Sequence, residues 1–388
     1  MRDRLGIWFL LLALAPLSAK AQIAPRQARV EVIAPKPPIP VVVDGKRVLV
    51  YELHVTNFGR GALRFRDIAV MYGGNHRDAR GGIPAQQPIA SYRDSALKAL
   101  LQAPGMQHSE DAARLEPAQL TIVFMWLSFP LNADVPTMLR HRLTFDILDS
   151  VDVRRDGGTI SQIDSILVPV STESVPTVRA PLDGGEWVVG SGPSNTSDHR
   201  RSLNAVNGGA YISQRFAIDW VRVGPNGNTF QGDEHRNESY WSFGQPVHSV
   251  ASGEVVAVVD SIADHTPHAP LPPVTLANIA GNYVTVRIAP NRYATYAHLE
   301  HGSIRVRVGQ RVQTGTVVAL LGDTGQATAP HLHFQITDAP GVLASEGVPF
   351  LLDRFRFLGY AADFEENKHP DAPRRHELPA EDEVIGLP

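Results

Sequence analysis

Two histidines stand two residues apart in a run whose side chains alternate between polar and apolar. The run is Pro330-His331-Leu332-His333-Phe334-Gln335-Ile336. Alternation places His331, His333 and Gln335 on one side of a predicted strand, with three apolar residues on the other side. Neutral imidazole binds zinc, and it also acts as a general acid or base near neutral pH. The pair therefore indicates either a metal site with an acid–base group beside it or two structural histidines.

The composition excludes several other chemistries. A chain of 388 residues has room for two domains, at roughly 100–200 residues each. The formal net charge of -4 is small and both signs are mixed along the chain, which argues against nucleic-acid binding. The chain has no cysteine, so disulfides, thiolate catalysis and cysteine-linked lipid are excluded. A zinc site in this chain must therefore use His, Asp or Glu.

The first residues have the pattern of a secretory signal peptide. Arg2 and Arg4 precede an apolar run over residues 7–15, and Ala19-Lys20-Ala21 has the small-x-small form of a cleavage site. The apolar run is short for a membrane span, and no later stretch is apolar enough to cross a bilayer. We expect residues 1–21 to be a signal peptide and the protein to be periplasmic or secreted in a bacterium. An uncleaved anchor is the alternative.

Residues 25–175 have the pattern of a β-sandwich. Between residues 49 and 56, apolar side chains alternate with Glu52, His54 and Thr56, and residues 120–129 are more uniformly apolar, as in a central strand. Such strands with turn residues between them predict an antiparallel, immunoglobulin-like sandwich. The region has no catalytic constellation, and its scattered histidines are predicted to be solvated or structural: His54, His76, His108 and His141. We expect this domain to be a spacer or a binding module.

The remaining chain divides into a linker, a second β-rich domain and a tail. Residues 171–183 are polar and contain prolines, so we expect a linker over residues 176–184. Strand patterns then fill residues 185–360, with one hairpin predicted over residues 245–260 and another around Pro290-Asn291. Residues 361–388 are charged and contain prolines, which predicts a flexible tail.

Several short runs of the second domain occur in one order and spacing that is recognisable. They are Phe243-Gly244-Gln245-Pro246-Val247, Tyr293-Ala294-Thr295-Tyr296-Ala297-His298-Leu299, Gly322-Asp323-Thr324-Gly325 and Pro330-His331-Leu332-His333-Phe334. With these runs, residues 185–360 resemble a LytM-type domain of the M23 metallopeptidase family. The resemblance implies an antiparallel β-sheet domain with a groove along the sheet. It also implies a zinc endopeptidase that cuts peptide bonds in bacterial peptidoglycan.

The resemblance also assigns residues to roles. It implies that Asp219 and His333 bind zinc, and that His298 and His331 face the reacting water and the scissile carbonyl. The chemistry is coherent, because zinc lowers the pKa of bound water and polarises a carbonyl. A neutral imidazole accepts the proton of the water, and an imidazole also donates a hydrogen bond to the developing oxyanion.

One position departs from the family pattern. The first ligand of the family is a histidine four residues before the aspartate, and here that place holds Arg215. A guanidinium has no lone pair to offer a metal, so Arg215 is expected to pair with a carboxylate, Asp219 being one candidate. Three alternatives follow. Another histidine supplies the ligand, His199 as first choice and His235 as second; zinc is held by Asp219 and His333 alone with extra water; or the groove binds a peptide or partner without zinc.

These alternatives correspond to different functions. The first hypothesis is an exported zinc metalloendopeptidase that acts on peptide stems or cross-links of peptidoglycan. The second is an inactive LytM-like module that binds peptidoglycan or activates a cell-wall amidase, with an amidase or a divisome protein as its partner. Residues 308–315 resemble half of a lipoyl or biotinyl carrier fold, but they lack the lysine that such a carrier needs. A carrier function is therefore set aside.

Overall fold

A computed structural model describes residues 26–73, 88–104, 111–149, 159–362 and 371–388. The predicted signal peptide, His76 and His108 lie outside these ranges. The described residues are mostly β, in sheets whose strands pair mainly antiparallel, as the sequence predicts. No helix among them is long and apolar enough to cross a membrane.

Eleven strands and one short helix, α1 (Asp94–Lys98), form the first half of the described chain. The strands are β1 (Arg26–Gln27), β2 (Val30–Ile33), β3 (Val41–Val43), β4 (Lys46–Asn57), β5 (Leu63–Tyr72), β6 (Ala90–Arg93), β7 (Leu101–Gln102), β8 (Arg114–Leu115), β9 (Leu120–Pro130), β10 (Met138–Ile147) and β11 (Ile160–Pro169). One sheet has the order β1-β11-β10-β5-β6, with β8 paired to β5, and the other has the order β2-β4-β9-β7, with β3 paired to β4.

The second half adds sixteen strands, a second short helix, α2 (Asp198–Arg201), and a 3-10 turn at Asn237–Ser239. The strands are β12 (Thr177–Val178), β13 (Glu186–Gly190), β14 (Asn204–Val206), β15 (Gly209–Tyr211), β16 (Ile218–Val223), β17 (Pro246–His248), β18 (Gly253–Val259), β19 (Asn282–Ala289), β20 (Arg292–Leu299), β21 (Arg311–Val312), β22 (Val317–Leu320), β23 (Leu332–Thr337), β24 (Leu351–Leu352), β25 (Phe355–Tyr360), β26 (Ala372–Arg374) and β27 (Glu383–Gly386).

A ten-stranded sheet dominates this second half. Its order is β21-β18-β19-β20-β23-β16-β13-β27-β25-β26. The predicted hairpin around Pro290-Asn291 is confirmed, because β19 and β20 pair antiparallel and Asn291 adopts a left-handed turn conformation at φ 53°. The hairpin predicted over residues 245–260 is wrong. β17 pairs with β22 and β18 pairs with β19, so the two segments belong to different sheets.

The two N-terminal sheets enclose one hydrophobic core. Leu49 and Leu53 of β4 share this core with Leu143 and Phe145 of β10, and all four are fully buried. The predicted two-sheet packing is therefore present, since apolar side chains of each sheet face the other. The immunoglobulin-like assignment stays a prediction.

The opposite face of β4 packs against the second half of the chain. Val48 and Val50 belong to the same hydrophobic core as Trp187 of β13, and Glu52 on the same face is buried. Sequence alternation identified the two faces of β4, but it did not show that both are covered. The two halves of the chain thus share a buried interface.

The segment predicted to be a linker, residues 176–184, belongs to this shared core. Thr177–Val178 pairs in parallel with Leu351–Leu352. Val178, Ala180 and Leu182 are buried in the core that both halves contribute to. Prolines and polar residues indicated a spacer, but the alternating small apolar side chains pack inward, so the prediction of a linker was wrong.

The predicted flexible tail also contributes to the fold. β27 lies between β13 and β25 in the ten-stranded sheet, and β26 forms the sheet edge beyond β25. Val384 and Ile385 are fully buried. The short apolar run over residues 384–387 pairs with strands distant in sequence, and this outweighs the charged composition around it. The described part of the tail is therefore ordered sheet.

Candidate metal centre and active site

Sheet register brings two of the sequence-predicted ligands together. β16 and β23 are antiparallel neighbours, and Asp219 lies directly opposite His333. The His333 Nδ1 atom is 2.9 Å from the Asp219 Oδ1 atom. Leu332 and Phe334 point into the core, as the alternation predicts, so the backbone of β23 is fixed and His333 projects to the other face.

The third residue of the group is His199, the first choice from the sequence. β13 ends at Gly190, which lies opposite Asp219, and the following loop is closed by a hydrogen bond from Ser197 Oγ to Ser191 O at 2.8 Å. Helix α2 then returns His199 to the site, with its Nε2 atom 3.4 Å from Asp219 Oδ2. The possible ligand atoms of His199, Asp219 and His333 all lie within 4.8 Å of one another.

The hydrogen bonds around His333 show that a cation fits this group. Gln335 Nε2 donates to Val342 O, which turns Gln335 Oε1 toward the Nε2 atom of His333 at 3.0 Å. His333 Nε2 must therefore carry a proton. In the neutral ring, Nδ1 then presents a lone pair to the Asp219 carboxylate. Two acceptors 2.9 Å apart require a positive charge between them, supplied by a proton on Nδ1 or by a metal ion.

The electrostatics suit a divalent metal. Burial alone would raise the pKa of Asp219, but the neighbouring His199 and His331 and the hydrogen bond from His333 lower it well below its usual range. Burial lowers the pKa of His199 to about 4, against the opposing effect of Asp219. The site therefore offers an ionised carboxylate and a neutral imidazole at neutral pH, which are the protonation states that bind metal.

Two further histidines line the same site. The His298 ring centroid lies 4.7 Å from that of His331 and 6.0 Å from that of His333. His298 Nδ1 donates to Thr324 O at 2.7 Å, and His331 Nδ1 donates to Ala329 O at 2.9 Å. Each ring thus has its Nδ1 proton committed to the backbone, which leaves Nε2 to face the site; the Nε2 atom of His331 lies 3.6 Å from Asp219 Oδ1. Burial, followed by the effects of His331 and His333, lowers the pKa of His298 well below its ordinary value.

The backbone holds His298 under strain. Its φ is 60°, in the left-handed region that residues other than glycine rarely adopt. Thr324 fixes this geometry, because its hydroxyl accepts from Asn282 N and donates to Leu299 O while its carbonyl accepts from His298. Gly281 has a φ of 58°, and a Cβ there would lie 2.4 Å from Thr324 O. The glycine is therefore what allows the Thr324 loop to approach.

The structure separates the alternatives that the sequence left open. His235 is exposed and contacts Pro267 O, and it does not belong to the group of three ligands, so the second choice for the missing ligand is wrong. Arg215 does pair with carboxylates, but these are Glu52 and Glu346 rather than Asp219. The ligand role of His199 has geometric support and stays a proposal.

No role was assigned from the sequence to Gln335, which contacts His333, or to Thr324, which contacts His298. Gln335 stood on the polar face of the predicted strand with both histidines, so its contact with His333 was foreseeable. Thr324 lies in the recognised run Gly322-Asp323-Thr324-Gly325, but that run did not indicate its contact with His298, which depends on a loop crossing from another part of the sheet.

Comparisons with known proteins agree with the resemblance. The model for "Peptidase family M23" matches residues 241–342. The peptidoglycan DD-endopeptidase ShyB of Vibrio cholerae is 36% identical over 93 residues, which are 24% of this chain and 18% of that protein. The peptidoglycan DD-endopeptidase ShyA of the same organism is 40% identical over 57 residues, 15% of this chain and 13% of that protein. The matched segments thus span less than a fifth of either relative.

Among solved structures, one match is a zinc-containing peptidase from Vibrio cholerae. It is 18% identical, with 79% of this chain and 81% of that chain covered, and the TM-score is 0.25. A likeness at this level carries no functional inference. The matched family region includes His298, His331 and His333, whereas Asp219 and His199 precede it. Residues 241–342 of this chain are a domain of peptidase family M23.

Proposed function

We propose that this protein is an exported zinc metalloendopeptidase that hydrolyses peptide bonds in peptidoglycan, acting in the periplasm or after secretion. One observation carries the proposal: His199, Asp219 and His333 converge beside His298 and His331. The names of the two Vibrio relatives, both peptidoglycan DD-endopeptidases, support peptidoglycan stems or cross-links as the substrate.

The proposed ligand set matches a catalytic rather than a structural zinc site. Structural sites have four protein ligands, whereas catalytic sites have three and leave one position open. His199 and His333 would offer nitrogen and Asp219 would offer oxygen, all within 4.8 Å. A zinc ion held there supplies a Lewis acid that polarises the scissile carbonyl and lowers the pKa of water.

His298 and His331 then carry the proton and charge chemistry. Because Nδ1 of His298 donates to Thr324 O, its free Nε2 accepts a proton from the attacking water. His331 has the same arrangement through Ala329 O, so its Nε2 also faces the site and, when protonated, stabilises the developing oxyanion. The strained backbone at His298 keeps its ring in place before substrate binds.

Metal content and sacculus digestion test this proposal. We expect purified wild-type protein to contain about one zinc ion per chain and to release soluble fragments from purified sacculi. The His333→Ala variant should lose both properties while keeping its far-ultraviolet circular dichroism spectrum. A correctly folded wild type that binds no zinc at neutral pH would rule out the enzyme.

A second candidate function is favoured by Arg215. This residue stands where the family has its first ligand, and its guanidinium is turned to Glu52 and Glu346. A module without bound metal would bind peptidoglycan or activate a cell-wall amidase. Pull-down on sacculi without fragment release, together with stimulation of an amidase by zinc-free protein, would establish this alternative in place of the peptidase.

A further inference from the structure

The proposed ligand His199 lies on a helix that has little stability of its own. α2 has four residues, and its N-cap residue Ser197 makes no side-chain capping hydrogen bond. A single turn of helix is far below the length at which an isolated helix is stable in water. The position of His199 is therefore set by what α2 packs against.

The N-terminal sandwich supplies that surface. Arg200, the residue after His199, is fully buried, forms an ion pair with Glu52 of β4, and donates to Tyr51 O at 2.9 Å. Its guanidinium lies 4.8 Å from the centroid of the Phe124 ring of β9. Glu52 itself is buried, with 1% of its side chain exposed.

Neighbours of Arg200 reinforce the same contact. Arg201 donates to Ala99 O at 2.7 Å and lies 4.3 Å above the Phe124 ring, while Asn195 donates to Phe124 O at 3.0 Å. Gln102 of β7 donates to Arg201 O at 3.3 Å. Residues on both sides of His199 thus bind the sandwich, and α2 is docked on it.

Glu52 connects this contact to the departure from the family pattern. Arg215 binds both oxygens of Glu52, at 3.0 Å through Nε and 2.8 Å through an Nη atom. Its remaining donors reach Glu346 and Gly347 O. One buried carboxylate thus holds both the arginine beside His199 and the arginine that stands in the family's ligand place.

We propose that Glu52 is a positioning residue of the metal centre, which acts through Arg200 to fix α2 and hence the Nε2 atom of His199. The N-terminal sandwich is then a structural part of the zinc site rather than a separate spacer or binding module. This inference rests on the proposed zinc function. It adds to that function Glu52 and the N-terminal sandwich, both of which lie outside residues 241–342.

The primary test is the zinc affinity of Glu52→Gln, measured by competition with a chromogenic chelator. The amide keeps the volume of the carboxylate but cannot hold two guanidinium groups as an anion does. We expect zinc to bind about tenfold more weakly, the lower end of the effect of changing a group that orients a ligand. The rise in melting temperature on adding zinc should shrink in parallel.

Two controls separate positioning from general stability. Lys36→Gln removes the exposed ion pair between Lys36 of the sandwich half and Asp338, at 3.0 Å, without touching α2. Leu143→Ala destabilises the sandwich core away from the interface. Both variants should bind zinc with wild-type affinity.

A second variant is needed because Glu52→Gln leaves two buried arginines without their carboxylate. Arg200→Lys keeps the charge but loses the planar fork that reaches Glu52 and Tyr51 O, and it should also weaken zinc binding about tenfold. If Glu52→Gln does not fold, Arg200→Lys decides. Folded variants with wild-type zinc affinity would overturn the positioning role alone, whereas a wild type without zinc affinity would overturn the proposed function as well.

Discussion

Two parts of the candidate metal centre are held in different ways. Asp219 and His333 face each other on adjacent strands of one sheet, so ladder hydrogen bonds and register fix their separation. His199 lies on a four-residue helix docked on another sheet system through Arg200 and Glu52. A ligand on a strand is positioned by its own domain, whereas a ligand on a loop needs an external surface. Under the proposed ligand set, the family's first ligand place would lie on α2 instead of at Arg215, while the strands that carry Asp219 and His333 keep their register.

The same comparison explains what Arg215 does. Burying a guanidinium is costly unless carboxylates surround it, and removing one partner of such a buried pair costs about 3–5 kcal/mol. Glu52 and Glu346 both lie within ion-pair distance of Arg215. Burial alone would raise the pKa of Glu52, but Arg200 and Arg215 lower it to about 2, so it stays ionised. Arg215, which stands in the family's first ligand position, therefore stabilises the interface between the two halves of the chain.

The sheet-held part of the site should show the largest effect. Asp219→Ala removes the carboxylate that contacts three of the four histidines of the site. We expect zinc content and peptidase activity to fall to background, measured by metal analysis and sacculus digestion. Asp371→Ala, which removes an exposed partner of Arg356, is the control and should retain both. Full zinc content in Asp219→Ala would place the metal elsewhere.

Separating metal binding from proton transfer requires a histidine outside the ligand set. His298→Ala should lower kcat by about 10²–10⁴-fold, the usual contribution of a general acid or base. Zinc content should be unchanged, since His298 Nδ1 is bound to Thr324 O and its ring is not among the three ligands. His301→Ala, at an exposed histidine two residues after Leu299, is the matched control. Loss of zinc in His298→Ala would contradict this division of roles.

The two proposed histidine ligands should also make opposite contributions to the pH dependence of stability. Burial lowers the pKa of His199 from 6.5 to about 4, so the unfolded chain binds a proton in that window that the folded chain does not. His199 should thus contribute a loss of about 3 kcal/mol of unfolding free energy in zinc-free protein as the pH falls from 6.5 to about 4. Urea unfolding measures this as the difference between wild type and His199→Gln, because His141 and His298, whose pKa values burial also lowers, are present in both proteins.

The pKa of His333 is shifted in the opposite direction to that of His199. Burial would lower its pKa, but the hydrogen bond to Asp219 outweighs burial and raises it. Its stabilising contribution in zinc-free protein is present below pH 6.5 and disappears as the pH rises through the raised pKa. In a nuclear magnetic resonance titration the two rings should therefore change protonation on opposite sides of 6.5. Coincident titration of both rings would contradict the difference.

A smaller effect than that of Asp219→Ala should come from the support of His333 within the sheet. Gln335→Leu removes the acceptor of the His333 Nε2 proton while leaving every ligand in place. Zinc affinity should fall about 10–100-fold, as for other residues that orient a ligand. Chelator competition measures it, with Gln313→Leu at the surface as the control. Equal affinities for the two variants would show that Gln335 does not orient the ring.

The local pattern of the sequence determined much of the site and of the second domain. Alternation through His331, Leu332, His333 and Gln335 identified the strand, its buried face and its polar face. Asn291 identified the hairpin that carries His298 at its far end. These predictions succeeded because period-two alternation and turn residues act over a few residues, where neighbouring side chains decide the backbone conformation.

Only the tertiary structure decided which histidine lies beside Asp219 and His333 and what covers Glu52. The sequence ranked His199 before His235, but no local pattern showed which of the two side chains reaches Asp219 and His333. Which of the two histidines reaches the site depends on the docking of α2 against β4 and β9, which are distant in sequence. For the same reason, the segments predicted to be a linker and a flexible tail pack inside the fold. Burial depends on which surfaces meet, and the periodicity of one segment does not show which remote segment will pair with it.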